Sequence, residues 1–481
     1  MNRRMVFYTV GHIATVEAAL LLLPALVSLI YLEKSGLSFL ITAALSLTVG
    51  LAFILFFKPK SRMIYAKEGF AIVAYAWLLM SAIGALPFVI GGAIPSYVDA
   101  FFETVSGFTT TGASILTDVE ALDHCMLFWR SFTHWIGGMG VLVLGLAILP
   151  GDDTQSMHIM RAEVPGPTVG KLVSRIRVTA RLLYIIYISL TLLEAVFLLI
   201  GGMPLYDSVV TSLATAGTGG FAIKNASIAA YDSAYIDAVI TAFMLIFSVN
   251  FTLYYMILLG QLKTAIRSEE LRWFFGIVVA ATVLITINVL PLYSGIFEAL
   301  RYSSFQVASI ISTCGFITAN YDLWPTFSQA VLLLLMFIGG CAGSTGGGIK
   351  VYRVVVICKT AFANVRRQLF PRSVAPLKHE GKLLDDDIKN GITGYMFTYI
   401  AIAAVSVLII SLDNVSFAES FTAMVACLNN IGPGLGKIGA VGNFGDLSIL
   451  SKIVLIFDML AGRLELFPML AMFYPATWKK G

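Results

Sequence analysis

Thr110-Thr111-Gly112-Ala113, Thr218-Gly219-Gly220-Phe221, Thr313-Cys314-Gly315-Phe316 and Asn430-Ile431-Gly432-Pro433 are four short turns, each centred on glycine and each set between long apolar runs. The glycines Gly112, Gly220, Gly315 and Gly432 follow one another at intervals of 108, 95 and 117 residues. A unit of helix, half-length segment, turn and helix therefore occurs four times, and an internal repeat dictates architecture. Four equivalent turns around one axis would form a narrow ring of backbone carbonyls, the device that replaces the hydration shell of a permeating cation. Glycine suits such a ring because it reaches backbone dihedrals that strain other residues and leaves the axis uncrowded.

The composition agrees. Of 481 residues, 58% are hydrophobic and 12% charged, about half the charged share of a soluble domain, and the mean hydropathy is +0.86. This is a polytopic membrane protein. Apolar runs near the roughly 20 residues needed to cross a bilayer fall at 6–31, 36–57, 69–93, 125–149, 180–202, 234–260, 273–294, 328–349, 389–411 and 447–475, giving ten expected spans. The first run follows Arg3 and Arg4 as a signal peptide would, but no small-residue cleavage site stands out, so an anchor is expected.

Basic residues cluster at Arg3 and Arg4, at 58–67, 161–181, 263–272 and 350–389, and at Lys479 and Lys480, which accounts for 25 of 32 Lys and Arg. With ten spans these segments fall on one side, which the positive-inside bias makes cytoplasmic. Both termini are then inside, and the glycine turns enter from outside. A net charge of +4 gives no reason to invoke nucleic acid; membrane lipid headgroups suit the basic loops better. Cys125, Cys314, Cys341, Cys358 and Cys427 lie in or beside apolar segments without paired spacing, and are read as buried thiols rather than a disulfide or zinc framework.

Each half-length segment reads as a short re-entrant helix, since irregular backbone at membrane depth survives only against protein or a water-filled cavity. Asp99, Asp207 and Glu419 each precede their glycine by 13 residues, and Tyr302 takes that place before Gly315. An acid at a helix start complements the positive helix end, and Ser416 with Glu419 has the spacing of a capping box. These acids read as caps, compatibly with an ion-attracting mouth. The carbonyl-rich ends of the helices would aim at the pore and favour a cation.

The motifs Phe108-Thr109-Thr110-Thr111-Gly112-Ala113-Ser114, Ala216-Gly217-Thr218-Gly219-Gly220-Phe221, Ser312-Thr313-Cys314-Gly315-Phe316 and Asn429-Asn430-Ile431-Gly432-Pro433-Gly434 resemble those of the Trk/Ktr/HKT superfamily of potassium translocators, over essentially the whole chain. Two extra spans before the first repeat resemble the TrkH type rather than the shorter KtrB type. The resemblance implies an all-α polytopic fold of four membrane-pore-membrane repeats around one pore. These divide as an N-terminal two-helix hairpin at 1–67 and repeats at 68–178, 179–271, 272–388 and 389–481. It implies a potassium filter at Thr110, Thr111 and Gly112, at Thr218, Gly219 and Gly220, at Thr313, Cys314 and Gly315, and at Asn430, Ile431 and Gly432. Glycine at all four filter positions goes with potassium selectivity in the family, and serine at the first with sodium-preferring plant members. Potassium is then the transported ion, with no organic cofactor.

In the third repeat the last helix is interrupted by Gly339-Gly340-Cys341-Ala342-Gly343-Ser344-Thr345-Gly346-Gly347-Gly348 before Lys350 and Arg353. So many glycines cannot make a firm helix. Lys350 neither follows a glycine directly nor precedes Ser or Thr, so the phosphate-loop pattern fails. An unwound, mobile stretch below the filter is expected, and the corresponding family loop is a gate, here Gly343, Ser344, Thr345, Gly346, Gly347 and Gly348. Arg463 falls mid-helix, where a charge costs about 2.5–3.5 kcal/mol on insertion scales and must face a cavity or partner. Asp458 and Glu465 are candidate partners, though neither has the i,i+3 or i,i+4 spacing that favours pairing. The resemblance places a positive residue there beside the pore loop, opposing cation passage.

A membrane-embedded enzyme would need a nucleophile with its base or a metal cluster, and no HExxH, Gly-x-Ser-x-Gly or paired acid motif is present. Carriers also use broken helices and repeats, usually two and inverted, whereas these four share one orientation. Passive flow driven by voltage and symport with protons or sodium both remain open. The inside loop at 350–389 is too short for a nucleotide-binding domain. The resemblance implies a homodimer in the bacterial inner membrane above a ring of TrkA-type nucleotide-binding subunits, with Arg366, Arg367 and Arg372 as docking surface. Arg130, His134, Glu194 and Asn250 receive no catalytic role: Glu194 reads as a packing or lipid-interface feature and Asn250 as a contact between helices. Asp152-Asp153 and Asp385-Asp386-Asp387 read as solvated loop charges.

Overall fold

A computed structural model describes residues 1–59, 65–140, 176–371, 377–384 and 386–478. The remainder of the expected fourth span (141–149), the basic residues Lys60, Arg62, Arg161, Lys171, Arg175, Arg372, Lys479 and Lys480, and the acids Asp152, Asp153 and Asp385 lie outside the described residues. The regular secondary structure of the described residues is helical except for one antiparallel pair of two-residue strands, Lys378–His379 and Lys382–Leu383.

Among the described residues, six helices are long and apolar enough to cross a membrane: Arg3–Tyr31, Gly36–Phe56, Lys67–Ile90, Val178–Ile200, Glu269–Leu292 and Asp386–Asp413. The first two form the N-terminal hairpin; the other four open the four repeats. The last three of these leading helices leave residues such as Leu192, Ile200, Val279, Ile287, Phe397 and Leu408 exposed, which suits a lipid surround rather than water, whereas the first is mostly buried.

Four short helices follow the leading ones: Tyr97–Phe108, Leu205–Gly217, Ile296–Ile311 and Phe417–Leu428. Each carries an acid in its first turn: Asp99, Asp207, Glu298 and Glu419. The capping box expected from Ser416 and Glu419 is present. Asp99 is not itself the cap, which is Ser96; Asp99 instead accepts from Lys452 Nζ at 2.7 Å, tying the first repeat to the fourth. Asp207 accepts from the Tyr231 hydroxyl at 2.7 Å. In the third repeat the helix starts a turn earlier than a gapless alignment suggests, so the matching acid is Glu298, four residues before Tyr302.

Three of the four trailing helices depart from the sequence expectation. Spans expected to be continuous at 125–149, 234–260 and 447–475 are not, whereas the interruption expected at Gly339–Gly348 within 328–349 is present. The first trailing helix stops at Met139 before Gly140 at φ 87°. The second runs Ala234–Phe247, breaks, and resumes as Phe251–Leu258 after a bend of 91°. The third trailing helix ends at Ile338, and helix resumes only at Val351–Leu369. The fourth ends at Arg463 and resumes at Leu466–Phe473, across Glu465 at φ 62°. Apolar composition set those spans; broken backbone survives because neighbouring segments satisfy the freed groups. Asn250 caps the resumed second helix by accepting from Thr252 N–H at 2.9 Å. Cys125, Cys314, Cys341 and Cys427 are buried thiols, whereas Cys358 is exposed.

Candidate functional site

The four short helices end in the same way. Thr110, Thr218, Thr313 and Asn430 adopt left-handed backbone, at φ 55°, 53°, 59° and 55°. The next residue in each case reaches back five positions: the amides of Thr111, Gly219, Cys314 and Ile431 donate to the carbonyls of Ser106, Ala214, Ser309 and Ala426 at 2.8–3.0 Å. This is a Schellman-type helix end, which satisfies orphan carbonyls and turns the chain sharply. The glycine after it, Gly112, Gly220, Gly315 or Gly432, again has positive φ, from 74° to 98°.

These glycines close a ring. A β-carbon placed on Gly432 would meet the Thr111 carbonyl oxygen at 2.8 Å, and one on Gly112, Gly220 or Gly315 would fall nearer still to the carbonyl oxygen of Gly219, Cys314 or Ile431 respectively. The repeats thus follow one another around an axis in chain order, first to fourth and back. Any side chain at the four positions would occupy space held by the next repeat's carbonyl. Asn430 Nδ2 donates to Thr111 Oγ1 at 3.0 Å, which ties the fourth repeat to the first.

Buried polar side chains hold the ring from behind. His134 Nδ1 lies 2.7 Å from the Gly107 carbonyl, and its Nε2 accepts from Phe221 N–H at 3.3 Å, so a neutral ring with Nδ1 protonated serves both neighbours. Glu103 accepts from Ile115 N–H at 3.0 Å and from the Ser114 hydroxyl at 3.0 Å, and pairs with Arg130 at 2.8 Å. Arg130 also donates to the Ala222 carbonyl at 3.2 Å and covers the Phe221 ring at 4.0 Å. In the third repeat Gln306 is the counterpart of Glu103, each nine residues before its glycine. With its amide oxygen turned to accept, Gln306 receives the N–H groups of Thr318 at 2.9 Å and Ala319 at 3.2 Å.

On one side of the ring a cavity of about 220 Å³ touches all four glycines. On the other, a cavity of about 70 Å³ is lined by a residue at every trailing-helix break: Gly140, Phe251, Gly343 and Arg463. Between them lies the unwound third-repeat segment. It presses on the ring, because Gly347 N–H donates to Thr313 Oγ1 at 2.6 Å and Gly348 N–H to the Asn429 carbonyl at 3.0 Å. It also fills the second-repeat break: Cys341 N–H donates to the Ser248 carbonyl at 3.0 Å, Thr345 Oγ1 to the Phe247 carbonyl at 3.0 Å, and Phe251 N–H to the Gly343 carbonyl at 3.0 Å. Each break supplies groups that the other needs.

Arg463 completes this lower layer. Its guanidinium donates to the carbonyls of Thr345 at 2.6 Å, Gly137 at 2.5 Å and Gly138 at 2.7 Å. Neither acid considered from the sequence takes it: Glu465 pairs with Arg353 and Asp458 accepts from Ser406 at 2.8 Å. Charge-assisted bonds to three carbonyls offset the desolvation of the guanidinium and set a positive charge at the cavity shared by the four breaks.

A family model described as a cation transport protein, TrkH, matches residues 36–480. The chain belongs to the TrkH family. The chain is similar to the "Trk system potassium uptake protein TrkH" of Salmonella typhimurium, 36% identical with the whole of both chains covered, and to the "Trk system potassium uptake protein TrkG" of Escherichia coli, 32% identical with 99% of each covered. The crystal structure of the potassium transporter TrkH from Vibrio parahaemolyticus matches all of both chains at a TM-score of 0.90 and 34% identity. TrkH proteins are transport proteins rather than enzymes, and the four-repeat fold with its N-terminal hairpin is theirs.

Within this TrkH-family chain, every residue expected from the sequence at the filter lies in one of the four turns, with the ring carbonyls supplied by Thr111, Gly219, Cys314 and Ile431. Gly343, Ser344, Thr345, Gly346, Gly347 and Gly348 lie between ring and lower cavity, and Arg463 bonds that segment directly. Sequence reasoning left Glu103 unmentioned and gave no role to Arg130 or His134. An acid nine residues before a filter glycine, with a basic residue in the following helix, is the signal that would have found the pair. Glu194 is fully buried beside Thr215, so it does not face lipid.

Proposed function

We propose that this chain takes up potassium across the bacterial inner membrane, with both termini cytoplasmic, through the four-glycine ring acting as a selectivity filter. The observation that carries the reading is the ring closure, in which each glycine's missing side chain leaves room for the next repeat's carbonyl oxygen. Carbonyls gathered so closely can replace water around a dehydrated cation. Potassium in the names of the full-length relatives supports the choice of ion. The pore repeats are 68–178, 179–271, 272–388 and 389–481, after the hairpin at 1–67.

The gate is the Gly343–Gly348 segment with Arg463: the segment bars the lower exit of the ring, and the guanidinium repels a cation arriving there. Flow is channel-like, since an inside-negative potential supplies about 2.3 kcal/mol per charge per 100 mV. The chain acts as a homodimer opened by a cytoplasmic TrkA-type nucleotide-binding subunit, a reading in keeping with the word "system" in the relatives' names; Arg366 and Arg367 are exposed on the helix that follows the gate.

The test is ion flux into proteoliposomes holding the purified chain. Voltage-driven uptake of potassium and rubidium over sodium, with selectivity loosened by Gly112→Ser, is expected. Uptake that requires a proton or sodium gradient would replace the channel by a symporter, and selectivity untouched by Gly112→Ser would remove the filter assignment.

A further inference from the structure

The intramembrane segment is gripped at its neck by one carboxylate. The neck is closed by Lys350 N–H to the Ile338 carbonyl at 2.9 Å and Val351 N–H to the Gly340 carbonyl at 3.1 Å. The helix that leaves it, Val351–Leu369, begins after Lys350, whose side chain has no acceptor to offer the first-turn amides. Glu270 fills that need from another helix. Its Oε1 accepts from Ala342 N–H at 2.7 Å, inside the segment, and from Tyr352 N–H at 3.2 Å, beyond it. A single buried oxygen therefore bridges the way in and the way out.

Glu270 is held in turn. It lies in the first turn of the third leading helix, which begins at Glu269. Glu380, at the tip of the two-stranded hairpin, accepts from the Ser268 hydroxyl at 2.9 Å and from the amides of Glu269 at 2.7 Å and Glu270 at 3.4 Å. The amide of Glu380 donates back to Glu269 at 3.3 Å, and Lys359 bridges Glu269 to the helix that leaves the segment. We infer that Glu270 is the positioning residue that latches the intramembrane segment across the path, and that the Lys378–Leu383 hairpin steadies the latch through Glu380. This rests on the reading of that segment as a gate. A partner that moved the hairpin would loosen both ends of the segment together without touching the filter.

The experiment is rubidium uptake into proteoliposomes of the full chain, beside hydrogen exchange at the Ala342 and Tyr352 amides and the potassium-to-sodium flux ratio. Glu270→Ala removes the acceptor and is expected to raise uptake roughly tenfold, to speed exchange at both amides and to leave the flux ratio unchanged. Glu270→Gln keeps an acceptor oxygen and is expected to stay within about twofold of the native chain. Glu380→Ala is expected to raise uptake by roughly twofold to threefold; no rise removes the hairpin from the inference. A chain lacking Ser344, Thr345 and Gly346 is measured alongside. If that deletion raises uptake and Glu270→Ala does not, the latch is overturned while the gate stands. If the deletion also fails to raise uptake, the gate reading fails and the latch falls with it. Should Glu270→Ala not fold, Glu270→Asp, one methylene short of its donors, takes its place, and unchanged uptake and exchange would overturn the latch.

Discussion

The leading and trailing helices of the four repeats are both apolar, yet they behave differently. Each leading helix crosses in one piece. Each trailing helix stops or breaks beside the same small cavity. The second, third and fourth leading helices turn much of their apolar surface outward, the first is largely covered by its neighbours, and all four satisfy their backbone internally. A trailing helix gives up its own hydrogen bonds at the break and takes partners from elsewhere, as Phe247 and Ser248 do from Thr345 and Cys341. Continuity makes the wall, and interruption places polar backbone at the cavity beneath the ring.

A glycine exchanged in a filter turn, set against one in a leading helix, extends the contrast to the ring and gives the sharpest test. Gly220→Ala forces a methyl into the Cys314 carbonyl at positive φ; overpacking and backbone strain together cost roughly 2–6 kcal/mol, and ion uptake should fall about a hundredfold or more. Gly276, in the third leading helix, has open space where its β-carbon would go. If Gly220→Ala were tolerated as well as Gly276→Ala, the comparison would fail.

The second test acts behind the ring. Breaking a buried ion pair by removing one partner costs roughly 3–5 kcal/mol, so Glu103→Ala should lower the unfolding temperature in detergent markedly, because Arg130 loses its partner and Ile115 its acceptor. An unchanged melting curve would show that the ring does not depend on this scaffold. Third, Arg463→Ala removes the charge at the trailing-helix breaks and the bond to Thr345. Uptake should rise about tenfold, the effect of roughly 1.4 kcal/mol; a fall would make Arg463 a structural strut rather than a barrier. The smallest effect belongs to Gly276→Ala itself, which should stabilise the leading helix by about 1 kcal/mol or less and leave uptake unchanged in the flux assay.

Much of this was legible because glycine leaves a chemical mark. Gly112, Gly220, Gly315 and Gly432 stand at matching places between apolar runs, and each is needed where it stands. Ser416 and Glu419 were legible for a similar reason, since a capping box is local. The breaks at Ser248–Asn250 and Leu464–Glu465 were not: neither holds a glycine or proline, a few polar residues within a long apolar run do not by themselves mark a break, and the groups that stabilise the first lie nearly a hundred residues away. The Glu103–Arg130 pair was hidden likewise, 27 residues apart on two helices that meet only in the fold. Glu298 was missed because a gapless alignment of the repeats overlooks one added helical turn.

In the proposed gate the backbone obstruction comes from a single repeat, with Arg463 of the fourth bonded to it. Four filter turns share the work of the ring, but the Gly343–Gly348 segment alone crosses beneath them, with no matching leaf drawn from the other described repeats. Under that reading, opening turns on one segment. In a patch holding one pore, current through it should step between two levels with no quarter-height or half-height plateaus, whereas a gate built from four equal leaves would have intermediate states to visit.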